Sequence, residues 1–436
     1  MGRERHRRRY TRAVLRTVDC PARRLEDYVA DAGEEAVEGL RAAAEPLRGA
    51  RVLQVNSTSY GGGVAELLVS HVALMRDLGI DAHWGVLEGT DDFFQVTKAV
   101  HNGLQGMAVE WTPDMEKIYW ERIRANAAAL NAADWNHVFI HDPQPAGILP
   151  VLEETGARAG CWIWRCHIDV SRPHAPVWEF FEPMVNRYDA AVFTMEAFAQ
   201  PGVTGPRLAI VPPSIDPTSE KNRPVDDRVV EEVLRRYHVD PDRPLAVQVS
   251  RFDPWKDPIG VIDAFRLARE DVPGLQLVMA GSMAADDPEG MEYLTLTRVH
   301  AGPDPDIHLL TDAEGVFAPE VNAFQQGADV VIQKSTREGF GLVVAEGMWK
   351  RRPVIGGNVG GITLQIEDGV NGFLVDSPDA CAARLEELMN DVALREQMGG
   401  VARERVRDRF LSLREVQDYL ELFTAIGGSA AEGASG

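Results

Sequence analysis

Twice along the chain, short apolar runs rich in β-branched residues alternate with longer stretches whose apolar residues recur at helical spacing. The first series places strands at residues 51–56, 81–87, 137–140, 160–167 and 190–194. A Pro-, Ser- and Asp-rich stretch at 211–224 then interrupts the pattern, and a second series follows with strands at 245–250, 276–280, 307–310 and 329–333. Strand-helix alternation of this kind predicts an α/β fold with mostly parallel, doubly wound sheets, whose ligands sit outside the carboxyl ends of the strands. At 436 residues the chain exceeds one ordinary core. The pattern therefore predicts an extension with amphipathic helices at 1–45, carried by Leu25, Val29, Val37, Leu40 and Leu47, a first domain at 46–215 and a second at 216–410. A final helix spans 411–427, and the Gly- and Ala-rich residues 428–436 read as a disordered tail.

The predicted strand ends carry the chemistry. His141 and Asp142 follow one strand in HDPQP, and His167 and Asp169 follow the next in HIDVS. Gly61, Gly62 and Gly63 open the first long helix of the first domain without matching the G-x-G-x-x-G dinucleotide pattern, which disfavours a nicotinamide enzyme. In the second domain Arg251 and Lys256 form R-x4-K at a strand end, where a diphosphate is neutralised by two cations. Residues 334–341 must form a strand-to-helix turn whose exposed N–H groups favour an anion, with Gly339 and Gly341 allowing close approach. Glu338 lies in that turn and Glu346 eight residues on, about two helical turns away.

A net charge of −22 argues against nucleic acid or an anionic membrane as partner, and any anionic ligand then needs a local basic site. The first twelve residues are basic, but no apolar segment of a secretory signal follows, and no run approaches the ~20 apolar residues of a membrane span. Four cysteines make no disulfide framework in a chain of this size, and the chain reads as cytoplasmic. Taken as side-chain chemistry alone, His141, His167, Asp169 and His174 also form a possible divalent-metal set.

The segments VNSTSYGGGVAELL, EGTDDFFQVTK, HNGLQG, FIHDPQP, WRCHIDVS and QKSTREGFGLVVAEGMWK, with the later GGNVGG, resemble retaining glycosyltransferases of the glycogen-synthase-like GT-B fold. Within these the chain is similar to trehalose synthases of the glycosyltransferring type. The resemblance implies two Rossmann-like domains with a cleft between them and a last helix that crosses back to the first domain. It implies a reversible reaction of a nucleoside-diphosphate glucose (UDP-glucose or ADP-glucose) with free glucose to give trehalose, with no cofactor and no metal. By the same resemblance Gly62 and Gly63 face the donor phosphates, and Arg251 and Lys256 hold the leaving diphosphate. Glu338 lies beside the donor sugar with Gly339, Phe340, Gly341 and Leu342, while Glu346 binds the ribose hydroxyls. His167 sits near the anomeric carbon, and His141, Asp142 and Asp169 belong to the acceptor side. Attack from the front face, with Glu338 orienting rather than forming a covalent intermediate, is the mechanism the family implies. A trehalose phosphorylase, another glucosyltransferase with a different acceptor, a non-catalytic sugar-nucleotide sensor and a metal-dependent hydrolase are the alternatives, and a homodimer is left open. Arg165 and Arg172 are the cations available for a phosphorylated acceptor.

Overall fold

A computed structural model describes residues 15–60, 62–281 and 288–433. Among the described residues, seven strands form one sheet: β1 (Arg16–Thr17), β2 (Arg51–Asn56), β3 (Asp81–Val86), β4 (His137–His141), β5 (Cys161–Arg165), β6 (Ala190–Phe193) and β7 (Arg207–Ile210). Their order is β1-β3-β2-β4-β5-β6-β7. All pairs are parallel except the β1–β3 edge. The second sheet holds β8 (Leu245–Val249), β9 (Gln276–Gly281), β10 (Ile307–Thr311), β11 (Val330–Gln333), β12 (Val354–Gly357) and β13 (Gly372–Val375). It is parallel throughout, in the order β10-β9-β8-β11-β12-β13. The expected pair of doubly wound α/β domains is the architecture observed.

The physical reason is visible in β5. Every residue of CWIWR is buried, because helices cover both faces of a parallel sheet and leave no side of the strand for solvent. On one face Phe93, Val100, Tyr119, Val177 and Phe181, from the helices Asp91–Leu104, Pro113–Ala127 and Ala175–Val185, pack on Trp162 and Trp164. On the other, Leu40, Leu68, Val72, Tyr419 and Phe423 pack on Phe139 and Ile163. Leu40 belongs to helix Glu34–Ala44, Leu68 and Val72 to helix Gly63–Asp77, and Tyr419 and Phe423 to the last helix, Ser412–Gly433. That last helix thus lies against the first sheet.

The chain passes between the two halves twice, side by side. Ile215 forms a parallel bridge with Leu411, closed by Ile215 N–H to Phe410 O at 2.8 Å and Ser412 N–H to Ile215 O at 3.0 Å.

Several elements depart from the sequence expectation. β1 is two residues long and exposed, too short for a period of two to register. β12 and β13 contain Gly356, Gly357 and Gly372, where apolar periodicity is weak and only neighbouring strands supply order. The helices Ile148–Glu154 and Ala175–Val185 carry Pro150, Pro176 and Pro183 and were not expected as helices. The last helix runs on to Gly433, beyond the expected end at 427, through a segment containing the strong helix formers Ala430, Ala431 and Glu432. The basic residues 1–12, Gly61 and residues 434–436 lie outside the described residues. Among the described residues no helix is long and apolar enough to cross a membrane.

Candidate active site

At the centre of the second sheet β8 and β11 are neighbours, while β8 continues to β9 and β11 to β12 on opposite sides. Loops leaving the carboxyl ends of two such strands diverge and open a crevice. The loop after β8 is the R-x4-K segment. Asp253 caps its short turn Pro254–Lys256 by accepting Lys256 N–H at 3.2 Å, and Gln248 Nε2 donates to Lys256 O at 2.9 Å. The loop after β11 is tied to it by Thr336 N–H to Trp255 O at 2.8 Å. Lys256 Nζ is thereby brought to 2.5 Å from Glu338 Oε2, a charge-assisted contact. The same oxygen accepts from Ser335 Oγ at 3.1 Å, and Glu338 is 8% exposed. Lys334 and Asp257 form a second ion pair between these loops. Arg251 Nη2 is 3.5 Å from Asp253 Oδ2, with 39% of its side chain exposed.

Gly341, at φ +81°, caps helix Leu342–Trp349, in the left-handed region where a side chain is strained. Its helix N-terminus opens beside Glu338. Phe340 is buried against Phe410, ring centroids 5.5 Å apart, so its side chain is core and only its backbone is left for a ligand. Leu342 meets the first domain: a Cβ on Gly63 would lie 3.0 Å from Leu342 Cδ1. Gly62 is the extended N-cap of helix Gly63–Asp77.

Glu346 is 1% exposed. Its Oε2 accepts from Gln325 Nε2 at 3.0 Å, and its Oε1 is 3.4 Å from Lys221 Nζ. Lys221 also donates to both oxygens of Glu66 on the first domain, at 2.7 and 2.9 Å. Burial works against the Lys221 charge, but Glu346 and Glu66 outweigh it and raise its pKa above the usual lysine value. Lys350 donates to Asn222 Oδ1 at 3.1 Å. Burial, against the pull of Glu346 and helped by Lys221, lowers Lys350 to about 7.

Across the crevice, His141 ends β4 at the first domain's own switch point. Its Nε2 contacts Gln54 Oε1 at 2.7 Å and its Nδ1 contacts His167 Nε2 at 3.0 Å. Burial, reinforced by Arg165, lowers His141 to about 3 and holds His167 well below the usual histidine value, so both rings are neutral. Asp142, in the left-handed region at φ 66°, accepts His167 N–H at 2.8 Å. Burial raises its pKa to about 6. Its carboxylate thus shapes the His167 turn. Asp169 Oδ1 accepts from Ser171 N–H at 3.0 Å and Ser171 Oγ at 2.6 Å, and Asp169 Oδ2 is 3.6 Å from Arg337 Nη1 of the second domain. The alternative metal set does not converge. Two of its rings pair with each other, Asp169 is engaged by Ser171 and Arg337, and among the described residues no group of three or more His, Cys, Asp or Glu is placed to hold a metal ion.

Beneath this surface Arg165 is fully buried, and among the described residues its guanidinium nitrogens have no hydrogen-bond partner. It is therefore enclosed, whereas Arg172 is exposed. Nearby, Glu415 of the last helix accepts from Ser214 Oγ at 2.5 Å and Tyr419 Oη at 2.7 Å. Burial raises its pKa, but His71, Arg414 and Arg165 outweigh it and hold the value at about 2. Lys221, Gln325 and Arg337, which contact candidate site residues, and the buried Ser214–Glu415 pair beneath them are not marked by the sequence pattern. Arg337 alone carried an indirect signal, as the neighbour of Glu338 in the quoted motif.

The family described as "Trehalose synthase, N-terminal domain" matches residues 54–200, and "Glycosyl transferases group 1" matches residues 230–405. The chain is 46% identical to a trehalose synthase of Thermococcus litoralis over 92% of its own length and 97% of the relative. It is also 46% identical to a trehalose synthase of Rubrobacter xylanophilus, covering 95% of this chain and 100% of that one. Among solved structures, a sucrose-phosphate synthase from Thermosynechococcus elongatus superposes with a TM-score of 0.67 at 17% identity, covering 86% of this chain and 100% of that chain.

Proposed function

Because this chain belongs to the trehalose synthase family of GT-B glycosyltransferases, we propose that it reversibly joins the glucosyl group of a nucleoside-diphosphate glucose to free glucose, forming α,α-trehalose with retention. The observation that carries this reading is the Lys256–Glu338 contact of 2.5 Å at the second domain's switch point, in the turn whose Gly339 packs on the backbone of His167 in the first domain.

In this reading the donor's diphosphate lies over Arg251, Lys256 and the N-terminus of helix Leu342–Trp349. Negative charge grows on the leaving phosphate as the glycosidic bond breaks. Fixed cations and N–H groups then stabilise the transition state more than the ground state. Glu338 orients Lys256 and faces the sugar, and neutral His167 exchanges a hydrogen bond with a sugar hydroxyl. The acceptor hydroxyl attacks from the front face and its proton passes to the departing phosphate oxygen. Asp169 lines the acceptor side, Glu346 receives the ribose, and closure of the cleft keeps out the water that would otherwise hydrolyse the donor. The enclosure of Arg165 supports an unphosphorylated acceptor, since a buried guanidinium cannot receive a sugar phosphate from the cleft.

The test is to incubate the protein with trehalose and each nucleoside diphosphate and to follow nucleotide sugar by mass spectrometry. Nucleoside-diphosphate glucose and free glucose are expected. Cleavage that needs inorganic phosphate and no nucleotide would overturn the reading in favour of a phosphorylase.

A further inference from the structure

Arg337 stands between two pinned neighbours: Thr336 is bonded through its N–H to Trp255 O, and Glu338 is held by Lys256 and Ser335. Its backbone therefore belongs to the donor-side turn, yet its guanidinium crosses to the first domain. Nη1 is 3.6 Å from Asp169 Oδ2. A Cβ on Gly106 would lie 3.1 Å from Arg337 Nη2 and 2.5 Å from Arg172 O, so the guanidinium occupies a slot between that loop and the turn from Asp169 to Arg172. The pair adjoins the point where Gly339 touches His167. Asp169 is 5% exposed, while 22% of the Arg337 side chain remains accessible.

A guanidinium is the side chain best shaped to take a phosphate through paired N–H donors. An uncompensated Arg337 at this place would invite a sugar phosphate, and Arg172 on the adjoining turn would add to the attraction. Asp169 cancels that charge and sets a carboxylate where a phosphate dianion would be repelled. We propose that the Asp169–Arg337 pair is the acceptor-selectivity element of this site, making it choose an uncharged hexose over a hexose phosphate. Asp169 acts here by neutralising Arg337, as a specificity residue that excludes the wrong acceptor. The inference rests on the reading of the site as a glucosyltransferase with a sugar acceptor.

The test supplies nucleoside-diphosphate glucose with equal glucose and glucose 6-phosphate to wild type, Asp169→Asn, Arg337→Gln and the double variant, and reads the ratio of phosphorylated to unphosphorylated disaccharide by mass spectrometry. A ratio within one sample does not depend on how much of the variant is folded. Wild type should give mainly the unphosphorylated product. Asp169→Asn should raise the ratio at least tenfold, Arg337→Gln alone should not raise it, and the double variant should lose the gain. Should Asp169→Asn fail to fold, Asp169→Ser removes the same charge and is read in the same way. An unchanged ratio, a gain that persists in the double variant, or a wild type that prefers glucose 6-phosphate overturns the pair's role. A wild type that prefers glucose 6-phosphate or glucosylates neither sugar overturns the underlying reading as well, whereas one that makes trehalose and whose Asp169 variants keep its ratio overturns the pair alone.

Discussion

A Cβ placed on Gly339 would lie 2.1 Å from the carbonyl oxygen of His167, so the turn after β11 and the turn after β5 meet backbone to backbone across the cleft. Gly339→Ala cannot keep that contact, and because the clash lies between domains the cleft must open rather than the fold unravel. We expect kcat/KM to fall at least a hundredfold, about 2.7 kcal/mol, with the denaturation midpoint little changed. A variant with near wild-type kcat/KM would show that this contact is not needed in turnover.

Lys256→Ala removes the cation and leaves Glu338 buried without its charge partner, so it should cost more than Arg251→Ala, whose side chain is substantially exposed. A charge-assisted contact is worth roughly 1.5 to 3 kcal/mol, or about one to two decades in kcat/KM for the milder variant. Glu338→Gln should lower kcat with little change in KM. Steady-state kinetics check all three, and an effect of Glu338→Gln on KM alone would place Glu338 away from the reacting sugar.

Glu346→Ala should raise the KM for the nucleotide donor and spare kcat, since ribose contacts act equally in ground and transition states. Lys221→Met should raise the same KM, because Lys221 holds Glu346 and ties it to Glu66. If Glu346→Ala instead lowered kcat at unchanged KM, the ribose assignment would be wrong.

Stability should fall as the pH drops from 7 to 5. His137 and His141 are lowered by burial to about 4 and about 3, and His167 is also held well below its ordinary value. Below pH ~6.5 the unfolded chain therefore binds protons that the folded chain refuses, at about 1.4 kcal/mol per pH unit for each histidine. Asp142, raised to about 6, works the other way between there and its ordinary carboxylate value, and offsets roughly one of them. Glu415, lowered to about 2, adds a further loss of stability once the pH passes below the usual glutamate range. Urea midpoints at pH 7 and pH 5 measure the effect, and His141→Asn should reduce it by removing one of the three histidines. A midpoint that rises on acidification would refute this account.

The alternation of strand and helix, the strand-end placement of His141, His167, Arg251 and Lys256, and the turn bearing Glu338 were all legible in the sequence. Each depends on periodicity or turn chemistry within about fifteen residues. Tertiary structure alone decided which loops share the crevice. Lys256 meets Glu338 from 82 residues away, Lys221 reaches Glu66 across 155, and Ser214 bonds Glu415 across 201. Phe340 likewise reads as part of the ligand loop, yet its ring is claimed by Phe410 in the core. A one-dimensional pattern records which face of an element is apolar, and that suffices to order strands and helices into layers. It carries no record of the rigid-body placement of one sheet against the other, and that placement sets which charges become neighbours and which are cancelled.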